Sequence, residues 1–229
     1  FFKKELNVEN KLRDFSTLDT ETKEKYSNWL VSMCHNSEIT KAECQIELNK
    51  QIEKNLVLEF YNLYFTKSEK TYNEFFEAMH KRTDLTWNKD KSVITQQFIN
   101  PTIEKVATWL KTNIEDEWKA LGFQLLLSFV PQNDFSPFIV FEKGVTPHVS
   151  GDTWNSITMD PDYSLDDYTT QWTIRHEFGH VLGFPDCYLE FYNPEQEEMV
   201  YYTIEPDNLM CAWGGKLQPS HVEQLKKVY

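Results

Sequence analysis

The residues of this 229-residue chain whose types and spacing suit chemistry are His176, Glu177 and His180. On an α-helix, residues four apart share a face, so the imidazoles of His176 and His180 project together and can grip one cation. Glu177, one position on from His176, is offset from direct ligation but can reach a water held by that cation. Two imidazoles beside a proton-accepting carboxylate are what a hydrolytic zinc site requires. The ion lowers the pKa of its water from about 16 to about 7 and polarises a carbonyl, and Glu177 passes the proton on to the leaving amine.

Taken alone, His-Glu-x-x-His also fits a surface helix with two unrelated histidines. The residues after it narrow the choice. Gly183 can adopt a left-handed conformation and stop the helix, and Pro185 keeps it from resuming. The chain can then return Asp186 as a third ligand, with an oxygen at about 2.0–2.2 Å and the fourth position open to water. A Glu from a later helix is the alternative third ligand, with Glu190, Glu195, Glu197 and Glu198 as candidates, but Gly183, Pro185 and Pro194 oppose a second long helix there. Asp207 reads better as a turn-former before Met210 than as a ligand. His35, His80, His148 and His221 read as surface or loop residues, with His148 able to line a cleft. Asp160, Asp162, Asp166 and Asp167 read as capping and solvated carboxylates, a Ca2+ site being the alternative.

The elements that must position these residues are legible in part. Residues 1–85 read as a helical region. Thr20–His35 carries Tyr26, Trp29, Leu30 and Met33 at helical spacing behind Asp19 and Thr20 as caps. Ser37 and Thr40 open a long second helix with a Thr40/Glu43 capping box and a stripe through Ile46, Ile52, Leu56 and Phe60. A third helix is expected over 68–81, with Phe75, Phe76 and Met79 on one side. Residues 86–229 read differently. An amphipathic helix follows Pro101, with Ile103, Val106, Trp109, Leu110, Ile114 and Trp118, and ends at Gly122. Strands are expected over 123–130, 138–141 and 156–159, then the motif helix from Asp166 or Tyr168 to Leu182, and a terminal helix over 220–228. That order is α+β.

Hydrophobic residues at 40% and aromatics at 15% suffice for a packed core. A net charge of -13 argues against a nucleic-acid or anionic-membrane binder, which would need a basic face, and no apolar run reaches membrane-spanning length. The chain opens on Phe1-Phe2 rather than Met, and a removed leader is the expectation. The four cysteines fall into sequence-near pairs, Cys34 with Cys44 and Cys187 with Cys211, so two disulfides and an oxidising compartment are expected; none has the spacing of a structural zinc site.

The pattern His-Glu-x-x-His-x-x-Gly-x-x-Asp resembles the metzincin zinc peptidases. It is most similar to the snapalysins, small secreted bacterial neutral proteases in which Asp replaces the usual third His. Pro185-Asp186-Cys187-Tyr188 resembles their Pro-Asp-x-Tyr, and Asp207 to Gly215 resembles the Met-turn, with Met210 beneath the metal. The resemblance covers roughly residues 100–229. It implies a metzincin-like catalytic domain and a secreted, monomeric endopeptidase acting on protein or peptide substrates. It further implies Tyr188 as the group that stabilises the tetrahedral oxyanion, and Phe138, Ile139, Val140 and Phe141 as an edge strand that pairs with extended substrate. Ala212 stands where some metzincins carry a Tyr ligand, so that ligand is excluded. The N-terminal helical region has no counterpart in the resemblance and reads as an accessory domain or a propeptide. A metal-binding or adhesin-like protein without catalysis is the alternative function.

Overall fold

The computed structural model describes residue 2 and residues 5–37, 39–193 and 197–229, with only the backbone of Phe191. Pro194 and Glu195, which entered the sequence argument, lie outside that set. The chain divides into two compact units, Phe1–Glu74 and Phe75–Tyr229.

The first unit is helical: α1 (Val8–Arg13), α2 (Thr20–His35), α3 (Lys41–Glu53) and α4 (Val57–Glu74). Asp19 caps α2 by accepting from Thr22 N–H at 2.9 Å, and the Thr40/Glu43 capping box opens α3. Tyr26, Leu30, Leu48, Phe60 and Tyr64 form its core. The Cys34–Cys44 disulfide ties α2 to α3 across a Cα separation of 5.8 Å.

Two helical expectations are corrected here. The long helix through Phe60 is two helices, broken at Asn55, whose φ of 55° is a left-handed conformation that Asn tolerates. Ile46 and Leu56, on the supposed stripe, are exposed. The helix over 68–81 ends at Glu74, because Phe75 and Phe76 pack against the core of the second unit.

The second unit is α+β. A four-stranded sheet runs in the order β1 (Leu85–Trp87), β2 (Val93–Ile99), β4 (Phe123–Val130), β3 (Lys119–Ala120). Strands β2 and β4 are parallel and joined through α5 (Glu104–Glu117). Val106, Trp109, Leu110 and Ile114 of α5 are buried, and Trp118 just after it is fully enclosed. Helix α5 starts after Pro101 and stops before Gly122, whose positive φ instead turns the β3–β4 hairpin. A three-stranded sheet has β7 (Ser156–Met159) at its centre, parallel to β5 (Phe138–Phe141) and antiparallel to β6 (His148–Ser150). Ile99 N–H donates to Pro137 O at 2.8 Å, linking the end of β2 to the start of β5. Helix α6 (Tyr168–Val181) carries the motif, β8 (Tyr188–Asn193) and β9 (Glu198–Thr203) form a two-stranded ribbon, and α7 (Pro219–Val228) closes the unit. No helix among the described residues is long and apolar enough to cross a membrane.

Candidate metal centre

Helix α6 starts where Asp167 accepts from Thr169 N–H at 3.0 Å. From His176 to Val181 every residue is buried, so the motif helix lies inside the unit rather than on its surface. Its end is a Schellman motif: Phe184 N–H donates to Gly179 O and Gly183 N–H to His180 O, with Gly183 at φ 97°. Glycine is required at 183 twice over, since a Cβ there would also stand 2.6 Å from His80 O. The Tyr229 hydroxyl donates to Leu182 O at 3.0 Å and accepts from Arg82 N–H at 3.3 Å, joining the C-terminus to the end of α6.

This turn delivers Asp186 to the histidines. Asp186 Oδ1 lies 3.1 Å from His176 Nε2 and 3.4 Å from His180 Nε2. The ligand atoms of all three residues fall within 4.8 Å of one another, and among the described residues this is the group of three able to hold a metal ion. Donors around a tetrahedral ion with bonds of about 2.1 Å lie about 3.4 Å apart, so the two separations to Asp186 suit zinc. Each ring is oriented from behind, with His176 Nδ1–H donating to Leu209 O at 2.9 Å and His180 Nδ1–H to Phe184 O at 2.8 Å. These bonds leave both Nε2 atoms facing Asp186, the tautomer that ligation needs.

The electrostatics match this arrangement. At His180, burial works against protonation, but the adjacent Asp186 carboxylate and the charge of Glu177 outweigh it and raise the pKa above the usual imidazole value, a proton that ligation would displace. Burial likewise opposes ionisation of Asp186, yet the neighbouring His176 and His180 rings hold its carboxyl well below the usual range. Burial pushes the Glu177 carboxyl up, against the pull of His180 and His176. Its Oε2 is buried and has no hydrogen-bond partner. A carboxylate left in that state costs free energy unless the site takes a further polar group. Burial, the Asp186 charge and a hydrogen bond to Asp186 raise the pKa of Tyr188, keeping its hydroxyl a donor.

Met210 sits directly under α6. A Cβ at Gly179 would come within 2.3 Å of Met210 Sδ and 2.9 Å of its Cε. The turn that holds Met210 is tightly bonded: Asn208 Oδ1 accepts from Met210 N–H at 2.9 Å, and Leu209 N–H donates to Lys216 O. The Cys187–Cys211 disulfide then joins the residue after Asp186 to the residue after Met210.

Strand β5 forms over Phe138–Phe141 as expected and is one edge of its sheet, with β6 at the other. Strands β6 and β7 pack beside α6, and His148 of β6 contributes to the field at Glu177. Along the N-terminal half of α6 is a cavity of about 330 Å³ lined in part by Thr146, Pro147, Tyr163, Thr170, Thr173 and Trp213. Trp213 stacks near Trp172, which in turn lies against His176. Strand β6 and this cavity were missed in the sequence, although His148 and the tryptophan three residues after Met210 pointed to them.

The remaining histidines and carboxylates have other partners. His221 Nδ1 accepts from Gln218 N–H at 2.9 Å, and its burial against Trp118 and Phe184 pushes its pKa down to about 4. His80 stacks on Trp154. Asp160 accepts from the backbone of Gly144 and Asp162, Asp162 pairs with Lys143, Asp166 with Lys105, and Asp167 caps α6. The four therefore stand apart as turn and cap residues, with no gathered calcium cage. Glu190 and Glu198 lie in the ribbon rather than on a second helix. Comparison with protein-family models gives no match, and comparison with curated proteins gives none either.

Proposed function

We propose that the protein is a secreted zinc-dependent endopeptidase of metzincin type, close in its ligand set to the snapalysins. The observation that carries this reading is the buried Glu177 carboxylate, whose Oε2 has no hydrogen-bond partner, beside three converging donors. Two neutral nitrogens and one oxygen, with a position left open, suit zinc better than calcium or magnesium, which prefer all-oxygen shells. When bound, the metal supplies Lewis-acid polarisation of the scissile carbonyl and acidifies water.

The chain's own residues do the rest. Glu177 takes a proton from the attacking water and delivers it to the amine as the peptide bond breaks. Its raised pKa suits both halves of that transfer. The Tyr188 hydroxyl, kept protonated, donates to the carbonyl oxygen as charge develops there. Strand β6 offers an edge for an extended peptide, and the adjoining cavity takes a substrate side chain. Two disulfides support an oxidising compartment. Cys34, bonded to Cys44, has no thiolate to offer a metal, which favours an accessory role for the helical unit over that of a cysteine-based inhibitory propeptide.

The test is hydrolysis of an unfolded polypeptide by the zinc-loaded chain, abolished by a chelator and restored by zinc. A loaded chain that cleaves nothing would establish the alternative, a metal-binding protein without catalysis.

A further inference from the structure

Asp186 differs from the two histidines in what holds it. His176 and His180 stand on a buried helix with their rings braced by backbone carbonyls. Asp186 lies on chain that has already left the helix, and its side chain is 39% exposed. The next residue provides the anchorage: Cys187 N–H donates to Met210 O at 3.0 Å, and Cys187 is bonded covalently to Cys211. Both cysteines are fully buried. The turn they grip also contains Leu209, whose carbonyl orients the His176 ring. One covalent link therefore fixes the third ligand against the same turn that aims the first. The 24-residue separation it spans contains the whole β8–β9 ribbon, so without the bond Asp186 would lead directly into that ribbon.

We propose that the Cys187–Cys211 disulfide is a positioning element of the metal centre, holding Asp186 in place so that metal retention depends on this bond. The inference rests on His176, His180 and Asp186 being the metal ligands. Reduction by a dithiol would break the S–S bond and form two thiols, with the two electrons and two protons supplied by the reductant, which closes to its own disulfide. The segment would then be held at this point by two backbone hydrogen bonds only, Cys187 N–H to Met210 O and Ile204 N–H to Cys187 O. Losing a group that orients a ligand costs about 10–100-fold in metal affinity.

The experiment is zinc affinity by chelator competition in the full-length chain. Alanine is the replacement of choice, because serine would bury two hydroxyls without partners. C187A/C211A is expected to bind zinc about 10–100-fold more weakly, while C34A/C44A, which removes the disulfide of the other unit, binds it as the parent does. A second arm uses Asp186→Ala: in that background, removing Cys187–Cys211 should cost no further affinity, whereas a bond with a merely structural role would cost the same in both. If near-UV circular dichroism shows C187A/C211A unfolded, the volume-filling pair C187V/C211A carries the same prediction. Unchanged affinity in the folded double variant, or an equal loss with Asp186 absent, overturns the proposal. A parent chain that takes up no zinc refutes the metal reading itself and this inference with it.

Discussion

Replacing Gly179 with alanine probes the contact between the motif helix and the Met210 turn. In a helix interior alanine is favoured over glycine by about 1 kcal/mol. Here the added Cβ would meet Met210 Sδ at 2.3 Å and Cε at 2.9 Å, far inside the optimal contact distance of about 3.5–4.0 Å. Trp118 Cζ2, at 3.4 Å, closes another side. Met210 is almost wholly buried, so its flexible side chain has little open space to swing into and must press on its neighbours. Overpacking of this kind costs about 1–3 kcal/mol. The expected net result is a destabilisation of up to about 2 kcal/mol, the helix gain offsetting part of the strain. With Met210→Ala as background the obstacle is gone, and Gly179→Ala should become neutral or stabilise by up to about 1 kcal/mol. The assay is urea unfolding of the chelator-treated chain by tryptophan fluorescence, since six of the seven tryptophans (87, 109, 118, 154, 172 and 213) follow residue 74. The same effect of Gly179→Ala in both backgrounds would refute the packing argument.

Other outcomes follow from the same geometry. His221 is held neutral with its pKa near 4, against about 6.5 when unfolded, so between those values the unfolded chain binds a proton that the folded chain refuses. Stability should therefore fall by about 3 kcal/mol as pH drops through that window. His221→Asn, which can still accept from Gln218 N–H, should flatten that part of the profile; parallel profiles would show the reasoning wrong. Tyr188→Phe should lower kcat about 100-fold while the chain still takes up zinc, and unchanged turnover would remove the hydroxyl from the mechanism. Thr40→Ala should lower the stability of the helical unit by about 1 kcal/mol, read in its thermal unfolding, through loss of the α3 cap; no shift would deny the cap its role.

The chemistry-bearing part was the most legible in the sequence. A four-residue His spacing, a glycine that must be left-handed and a following proline are local features, and local backbone rules were enough to bring Asp186 back to the histidines. The same holds for α2 and its cap at Asp19, and for the strands at 123–130, 138–141 and 156–159, each a short, largely apolar run between turn residues. What escaped was set by tertiary context. The break at Asn55 carries no glycine or proline, and the aromatic pair Phe75–Phe76 looked like a helix face while serving another core. Strand β2 contains Gln96, a fully buried side chain that donates to Asp84 and to Gln97 O, so its polarity masked a central strand. The ribbon strands, Tyr188–Asn193 and Glu198–Thr203, are rich in aromatic and β-branched residues but lack a clean period-two alternation, so their strand signal was weak.

The most direct measurement compares Glu177→Gln with the parent for zinc content and for cleavage of an unfolded protein. Glu177 lies beside the ligand group without belonging to it, so the variant should bind zinc in the same stoichiometry while hydrolysis disappears. Equal cleavage by the variant would contradict the account, because the proton carrier at its centre would be dispensable.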